Sequence, residues 1–102
     1  MEEYLTNLSK EAVEVLRRID EFFDESSEYR EESFTVKNYI TGEIIREIEE
    51  WGFDEYHFYR NGLREEYVFY CRHGGKCVIR IIIISGLGKG TDDTIIVRRE
   101  PR

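Results

Sequence analysis

Residues 71–77, CRHGGKC, contain the two cysteines of this 102-residue chain, a histidine and a pair of glycines. These residue types would suit a metal knuckle or a redox pair. Zinc knuckles place the two ligands of a pair two to four residues apart and need a second pair, whereas five residues separate Cys71 from Cys77 and the other candidates are His73 and His57. We therefore expect no metal and predict the tip of a β-hairpin. Its cysteines would face each other as buried thiols, near enough for a disulfide under oxidising conditions.

A second group of residues could support acid–base chemistry. With Asn61-Gly62 as a two-residue hairpin turn, Phe58 lies opposite Glu65 and His57 lies opposite Glu66. The other carboxylates nearby belong to Asp54 and Glu55. A carboxylate that orients an imidazole is half of an acid–base pair, but no Ser or Cys nucleophile is positioned beside it. A cross-strand ion pair is the plainer interpretation, and a small hydrolase or nuclease using His57 and the nearby carboxylates is kept as an alternative function.

The glycine-rich stretch SGLGKGTDD, residues 85–93, has the residue types of a phosphate-binding loop. Gly90 separates Lys89 from Thr91, however, which breaks the G-x-x-x-x-G-K-[ST] spacing, and β-branched residues rather than a helix follow. We interpret the stretch as a hairpin loop and expect no cofactor.

Charge is distributed unevenly along the chain. Residues 1–66 carry 19 acidic and 8 basic side chains, whereas residues 67–102 carry 3 and 7. The basic C-terminal third next to aromatic strands keeps a nucleic-acid accessory protein open as an alternative, but the acidic body argues against nucleic acid as the partner. No long apolar run and no export signal is recognisable, so we expect no membrane association and an intracellular protein.

Two amphipathic helices are predicted to position these groups. Ser9 is the expected N-cap of the first helix; Thr41 is that of the second, which Gly52 should end. Apolar residues three and four positions apart give each helix one buried stripe. The stripes consist of Ala12, Val15, Leu16, Ile19, Phe22 and Phe23 in the first helix and of Ile44, Ile45, Ile48 and Trp51 in the second.

Extended segments follow both helices. They are SFTVKNYI at 33–40, the two strands around Asn61-Gly62, CVIRIIIIS at 77–85 and TIIVRR at 94–99. A loop one residue wider than Gly74-Gly75 puts Phe69 opposite Ile79 and Tyr67 opposite Ile81, which collects the apolar residues on one face for the helices. The fold class is therefore α+β, with a C-terminal antiparallel meander.

The chain contains an internal repeat. EVLRRIDEFFDE at 14–25 and EIIREIEEWGFDE at 43–55 share seven identities in twelve positions when Gly52 is treated as an insertion. We predict one domain made of two related helix-plus-strand motifs from an internal duplication, packed about a pseudo-twofold axis. The bounds are 1–102 for the domain, about 9–40 and 41–85 for the motifs, and about 86–102 for a C-terminal hairpin strand.

The chain resembles the orphan proteins of filamentous viruses that infect the hyperthermophilic archaeon Acidianus. The resemblance rests on this repeat, on the length of 102 residues and on a composition that is rich in Glu, Arg and Ile but lacks Gln. The resemblance covers the whole chain and contains no catalytic motif. It implies a viral protein in the cytoplasm of a hot host, a structure of two related motifs, and an interaction role rather than a reaction.

The predicted functional surface is the second face of the meander, where apolar and aromatic side chains surround an arginine and are rimmed by charge. The residues predicted to bind a partner are Tyr59, Val68, Tyr70, Arg80 and Ile82. We expect a binding module, as monomer or homodimer, that accepts an extended peptide or protein segment along a free strand edge or in the groove between the two motifs. Coverage of this face by the first motif or a second subunit is the alternative.

Overall fold

The computed structural model describes residues 9–23, 29–51, 55–70, 77–86 and 91–101. These residues form two helices and five strands, which confirms the α+β class. In chain order they are α1 Lys10–Phe22, β1 Arg30–Lys37, α2 Asn38–Glu50, β2 Glu55–Asn61, β3 Arg64–Tyr70, β4 Cys77–Ile84 and β5 Asp92–Pro101. The strands form one antiparallel sheet in the order β1-β5-β4-β3-β2.

Helix α1 begins at the residue that the sequence predicts. Ser9 is extended, and its Oγ accepts a hydrogen bond of 3.3 Å from the amide of Ala12, so it caps the helix. At the other end, buried Arg99 of β5 donates from Nη1 to the carbonyl of Phe22, at 3.3 Å. Because the last turn of α1 holds no basic residue, Arg99 supplies the cation that a helix C-terminus favours. The predicted apolar stripe is buried along its whole length.

The predicted start of α2 is wrong. β1 ends at Lys37 and α2 begins at Asn38 without a connecting loop, so the last three residues of the segment 33–40 are helical rather than extended. Lys37, not Thr41, is the N-cap, and its side chain makes no capping hydrogen bond. The apolar stripe explains the longer helix, because Ile40 precedes Ile44 and Ile48 by four and eight residues and is equally buried.

The hairpin between β3 and β4 has the predicted register. Phe69 pairs with Ile79, and Tyr67 pairs with Ile81. All four belong to the face that the helices cover, where Phe69, Ile79 and Ile81 join the core and Tyr67 packs against it.

The hairpin between β2 and β3 is shifted by two residues from its predicted register. Phe58 pairs with Tyr67 instead of Glu65, and Gly62 and Leu63 form the turn. Gly62 has a φ of 63° at the first turn position, where a type II′ turn requires a positive φ. The shift is favoured because the rings of Phe58 and Tyr67 then pack with centroids 4.8 Å apart. A two-residue shift leaves Phe58 and Tyr59 on their predicted faces.

One hydrophobic core lies between the two helices and one face of the sheet. It includes residues of α1, α2, β1, β3, β4 and β5. Both helices pack mainly over β1 and β5. Aromatic rings continue the core toward β2, since Phe23 contacts Trp51 and Phe69, with centroids 6.0 Å apart in each pair.

The strands that directly follow the two helices, β1 and β2, lie at opposite edges of the sheet and run parallel to each other, because four successive antiparallel pairings separate them. A twofold axis normal to the sheet does not exchange these two strands. The pseudo-twofold packing of the two motifs stays a prediction.

Cys77 is buried and disulfide-bonded, so the expected free thiol is wrong for this residue. The other cysteine, Cys71, and the predicted hairpin tip lie outside the described residues, as do Gly52 and the centre of the glycine-rich loop. Neither described helix is long and apolar enough to cross a membrane. No cluster of three or more potential metal ligands occurs among the described residues.

Candidate functional site

The five residues predicted to bind a partner lie on the face of the sheet opposite α1 and α2, which is called the helix-free face because no described helix covers it. Strand pairing and alternation bring Tyr59, Val68, Tyr70, Arg80 and Ile82 to this face. Their exposures differ, however: 52% of Tyr59 is exposed, whereas Val68 and Ile82 are 0% and 1% exposed. The apolar part of the predicted surface is thus already buried, and its accessible part consists of the two tyrosines and the arginine.

Arg80 is held by carboxylates from both neighbouring strands. Its Nη1 donates to Glu66 of β3 at 2.9 Å, and its Nε donates to Glu100 of β5 at 2.8 Å. Burial lowers the pKa of Arg80, but the hydrogen bonds and charges of the two carboxylates outweigh burial and raise it. A partner would have to replace these bonds, so Arg80 fits a structural ion pair better than an open contact.

The residues proposed for other chemistry are separated or engaged elsewhere. His57 pairs with Val68, and Glu66 pairs with Tyr59, so the predicted His57–Glu66 pair is wrong. Asp54 lies outside the described residues. In the basic C-terminal third, Arg98 donates to Glu31 at 2.8 Å. Like Arg80 and Arg99, it is committed to a partner within the fold.

β1 is an edge strand of the described sheet. All eight of its residues pair with β5 without irregularity, and no described strand lies on its other side. Charged residues occupy both ends of β1, but its centre, residues 33–36, reads SFTV. Natural edge strands are usually protected by bulges, prolines or central charges. The centre of β1 has none of these features.

A cleft of about 310 Å³ lies between β1 and α1. The residues on the α1 side are spaced three and four apart and share one helix face. They are Glu11, Glu14, Val15 and Arg18, and the residues on the β1 side are Glu32, Ser33, Phe34 and Thr35. Neighbouring strand residues point to opposite faces, so a cleft bordered by four consecutive residues follows the edge of β1 rather than one face.

Ion pairs close one end of this cleft. Arg18 pairs with Glu32, and its guanidinium lies 5.8 Å from the ring centroid of Phe34. Arg30 lies 3.6 Å from Glu32 and 3.8 Å from Glu21. These contacts also give the relative direction of the two elements, because later residues of α1 meet earlier residues of β1.

The other end of the cleft is acidic and unpaired. Glu11 and Glu14 are exposed, and no ion pair or side-chain hydrogen bond joins either to another described residue. Because α1 and β1 run in opposite directions, this end lies beside Thr35. Between the two ends, Val15 and Phe34 provide the apolar lining.

A second cleft, of about 390 Å³, separates α2 from β3 and β4. Buried Asp93 lies at its wall and accepts hydrogen bonds from Thr41 Oγ1, at 2.8 Å, and from the amide of Gly86, at 3.3 Å. Among the described residues, no buried side-chain nitrogen or oxygen lacks a partner. The buried polar group of this cleft, Asp93, therefore serves the fold.

The cleft between α1 and β1 was not predicted from the sequence. Glu11, Glu14 and Arg18 are exposed. The spacing of Glu11, Glu14 and Arg18 shows that they share a helix face, but the pairing of β1 with a strand about 60 residues later decides what that face meets. No pattern in the local sequence predicts the pairing of β1 with β5.

Comparisons with protein-family models, with curated proteins and with solved structures gave no match.

Proposed function

We propose that this protein is a peptide- or protein-binding module that accepts an extended segment as an additional strand on β1. The regular, uncharged centre of this edge strand, lying beside the cleft under α1, is the observation that supports the proposal. In strand addition, main-chain hydrogen bonds provide affinity and side-chain pockets provide specificity. The edge of β1 would supply the main-chain hydrogen bonds, and the apolar lining at Val15 and Phe34 would supply the side-chain pocket.

The opposite edge strand, β2, is less suited to this role. Its pairing with β3 is irregular between Glu55 and His57, and a bulge twists an edge away from further pairing. Arg60 also pairs with Glu65 across the hairpin. We therefore assign the binding edge to β1 and not to β2.

The binding surface proposed here differs from the predicted groove between two motifs. The cleft belongs to the first motif alone, since all its residues fall within 9–40. Tyr59 and Tyr70 on the helix-free face are retained as a secondary contact surface, whose buried apolar residues offer little further area, whereas Arg80 stays in its ion pairs with Glu66 and Glu100.

The repeated sequence also supports an origin by internal duplication. Both helices have 13 residues, and the next strand after each lies at an edge of the sheet. The consecutive antiparallel pairings of β2 to β5 are in keeping with a C-terminal meander. We further propose a viral protein acting in the cytoplasm of a hot archaeal host, for which the support is the sequence resemblance and the thermophile-like composition. A disulfide at Cys77 is compatible with that setting, because intracellular disulfides occur in hyperthermophiles.

Selection from a peptide library followed by amide hydrogen exchange tests the proposed function. Peptides that bind should slow exchange at amides of β1, around residues 33–36, because a new strand bonds its free edge. Exchange at β2 should not change. Failure to select any peptide, or protection at β2 or on the helix-free face instead of β1, would contradict the assignment.

A further inference from the structure

We infer that the segment bound at β1 is basic, with a Lys or Arg followed two residues later by an apolar side chain. This inference rests on the proposed strand addition and gives the chemical class of its ligand. It follows from the charges at the two ends of the cleft and from the direction in which a strand would enter.

The unpaired acids of the cleft provide the charge preference. Glu32 is already neutralised by Arg18 and Arg30, whereas Glu11 and Glu14 have no cationic partner among the described residues. An acidic ligand residue at this end would meet two like charges. A basic residue would gain attraction there and would also be drawn by the acidic excess of residues 1–66.

The apolar lining fixes a second ligand position. Val15 is almost completely buried and Phe34 is half-buried, and both border the cleft between its paired end and its acidic end. Side chains on one face of a strand recur every second residue, about 7 Å apart. A ligand that places an apolar residue against Val15 and Phe34 therefore presents its basic residue two positions away.

Strand direction sets the order of these two residues. Every pairing in this sheet is antiparallel, and antiparallel pairing is slightly more stable per residue. β1 runs from the paired end of the cleft toward the acidic end, so an antiparallel ligand enters at Glu11 and Glu14. Its basic residue comes first and its apolar residue second.

The basic C-terminal segment of a second copy is a poor candidate for this ligand. Residues 98–101 belong to β5, which is paired with β1 on one side and with β4 on the other. Their release would break the sheet. The expected occupant is a basic extended segment of another protein.

Two synthetic peptides of equal composition test the inference, acetyl-TKTITVT-amide and its reversed sequence, acetyl-TVTITKT-amide. Fluorescence anisotropy of labelled peptides should show tighter binding of the first, and Glu14→Gln should weaken that binding about twofold to fivefold, as expected for a partly exposed ion pair. Glu14 is preferred to Glu11 because Glu11 lies in the first turn of α1 and also stabilises the helix. Glu50→Gln, an equal charge change at an exposed position on α2 outside both clefts, should have no effect.

The decisive experiment reverses the charge on both the protein and the peptide. Glu14→Lys should prefer acetyl-TETITVT-amide over the lysine peptide, with β1 amides protected in both wild type and variant. If the peptides protect β1 but binding ignores charge and order, the inference is overturned and the proposed function stands. If no peptide protects β1, both are overturned.

Discussion

Single arginines connect distant parts of this chain, and Arg98 shows the effect on one carboxylate. Arg98 of β5 and Tyr29 both donate to Glu31 Oε1, at 2.8 and 3.0 Å. The hydrogen bond from Arg98, followed by that from Tyr29, lowers the pKa of Glu31 below its ordinary value. A carboxyl whose folded-state pKa is depressed stabilises the fold above its unfolded pKa, and this contribution disappears as the pH falls through the folded pKa.

Arg98→Gln should raise the pKa of Glu31 toward its ordinary value, because it removes both the strongest hydrogen bond and the positive charge. Tyr29→Phe should raise it less, since it removes the weaker donor and no charge. An NMR titration of the Glu31 carboxyl carbon measures both changes. Equal effects of the two substitutions, or none, would show that Arg98 does not hold this carboxylate in solution.

At the scale of elements, the start of α2 depends on a residue from another strand. The helix has no side-chain cap and no acidic residue in its first turn. Asp93 of β5 lies beside that turn and accepts a hydrogen bond from Thr41. The carboxylate thus satisfies a buried hydroxyl and places a negative charge near the helix N-terminus.

Thr41→Val should destabilise the protein by about 1–3 kcal/mol, because it keeps the side-chain shape but leaves buried Asp93 without its hydroxyl donor. Urea denaturation measures the free energy of unfolding. Thr35→Val is the matched control: Thr35 is exposed on β1, so the same substitution should change stability by less than about 0.5 kcal/mol. A loss as small at Thr41 as at Thr35 would show that the bond to Asp93 does not support α2.

These elements also show how far local sequence determines the fold. The cap at Ser9, the two apolar stripes and the pairing of Phe69 with Ile79 were predictable, because each follows from a local pattern or from burying one face. The start of α2 was not, because the extended preference of SFTVKNYI competes with a helix that Asp93 stabilises from 52 residues away. At Asn61-Gly62, the local turn preference predicted the wrong register, because ring packing between Phe58 and Tyr67 favours the register shifted by two residues.

At the scale of the whole molecule, β5 joins the first motif to the rest. It pairs with β1 on one side and β4 on the other, and its Arg99 reaches the end of α1 across 77 residues of sequence. The candidate cleft depends on the same connection, since α1 and β1 keep their places through β5 and the shared core. The sequence analysis proposed a free strand edge as one of two possible sites, and the assignment of that edge to β1 depends on this long-range pairing.

The first motif should therefore not fold by itself, despite the repeat. In a fragment of residues 1–40, β1 lacks its described neighbour β5, α1 lacks all of α2 after its first three residues, and the chain is too short to bury a stable core. We expect no cooperative thermal transition in its circular dichroism. Mixing it with a fragment of residues 41–102 should restore the transition, whereas mixing it with residues 41–91, which lack β5, should not. A cooperative transition in the 1–40 fragment alone would mean that the repeated unit is autonomous, and that the β1 edge and its cleft form without the remainder of the sheet.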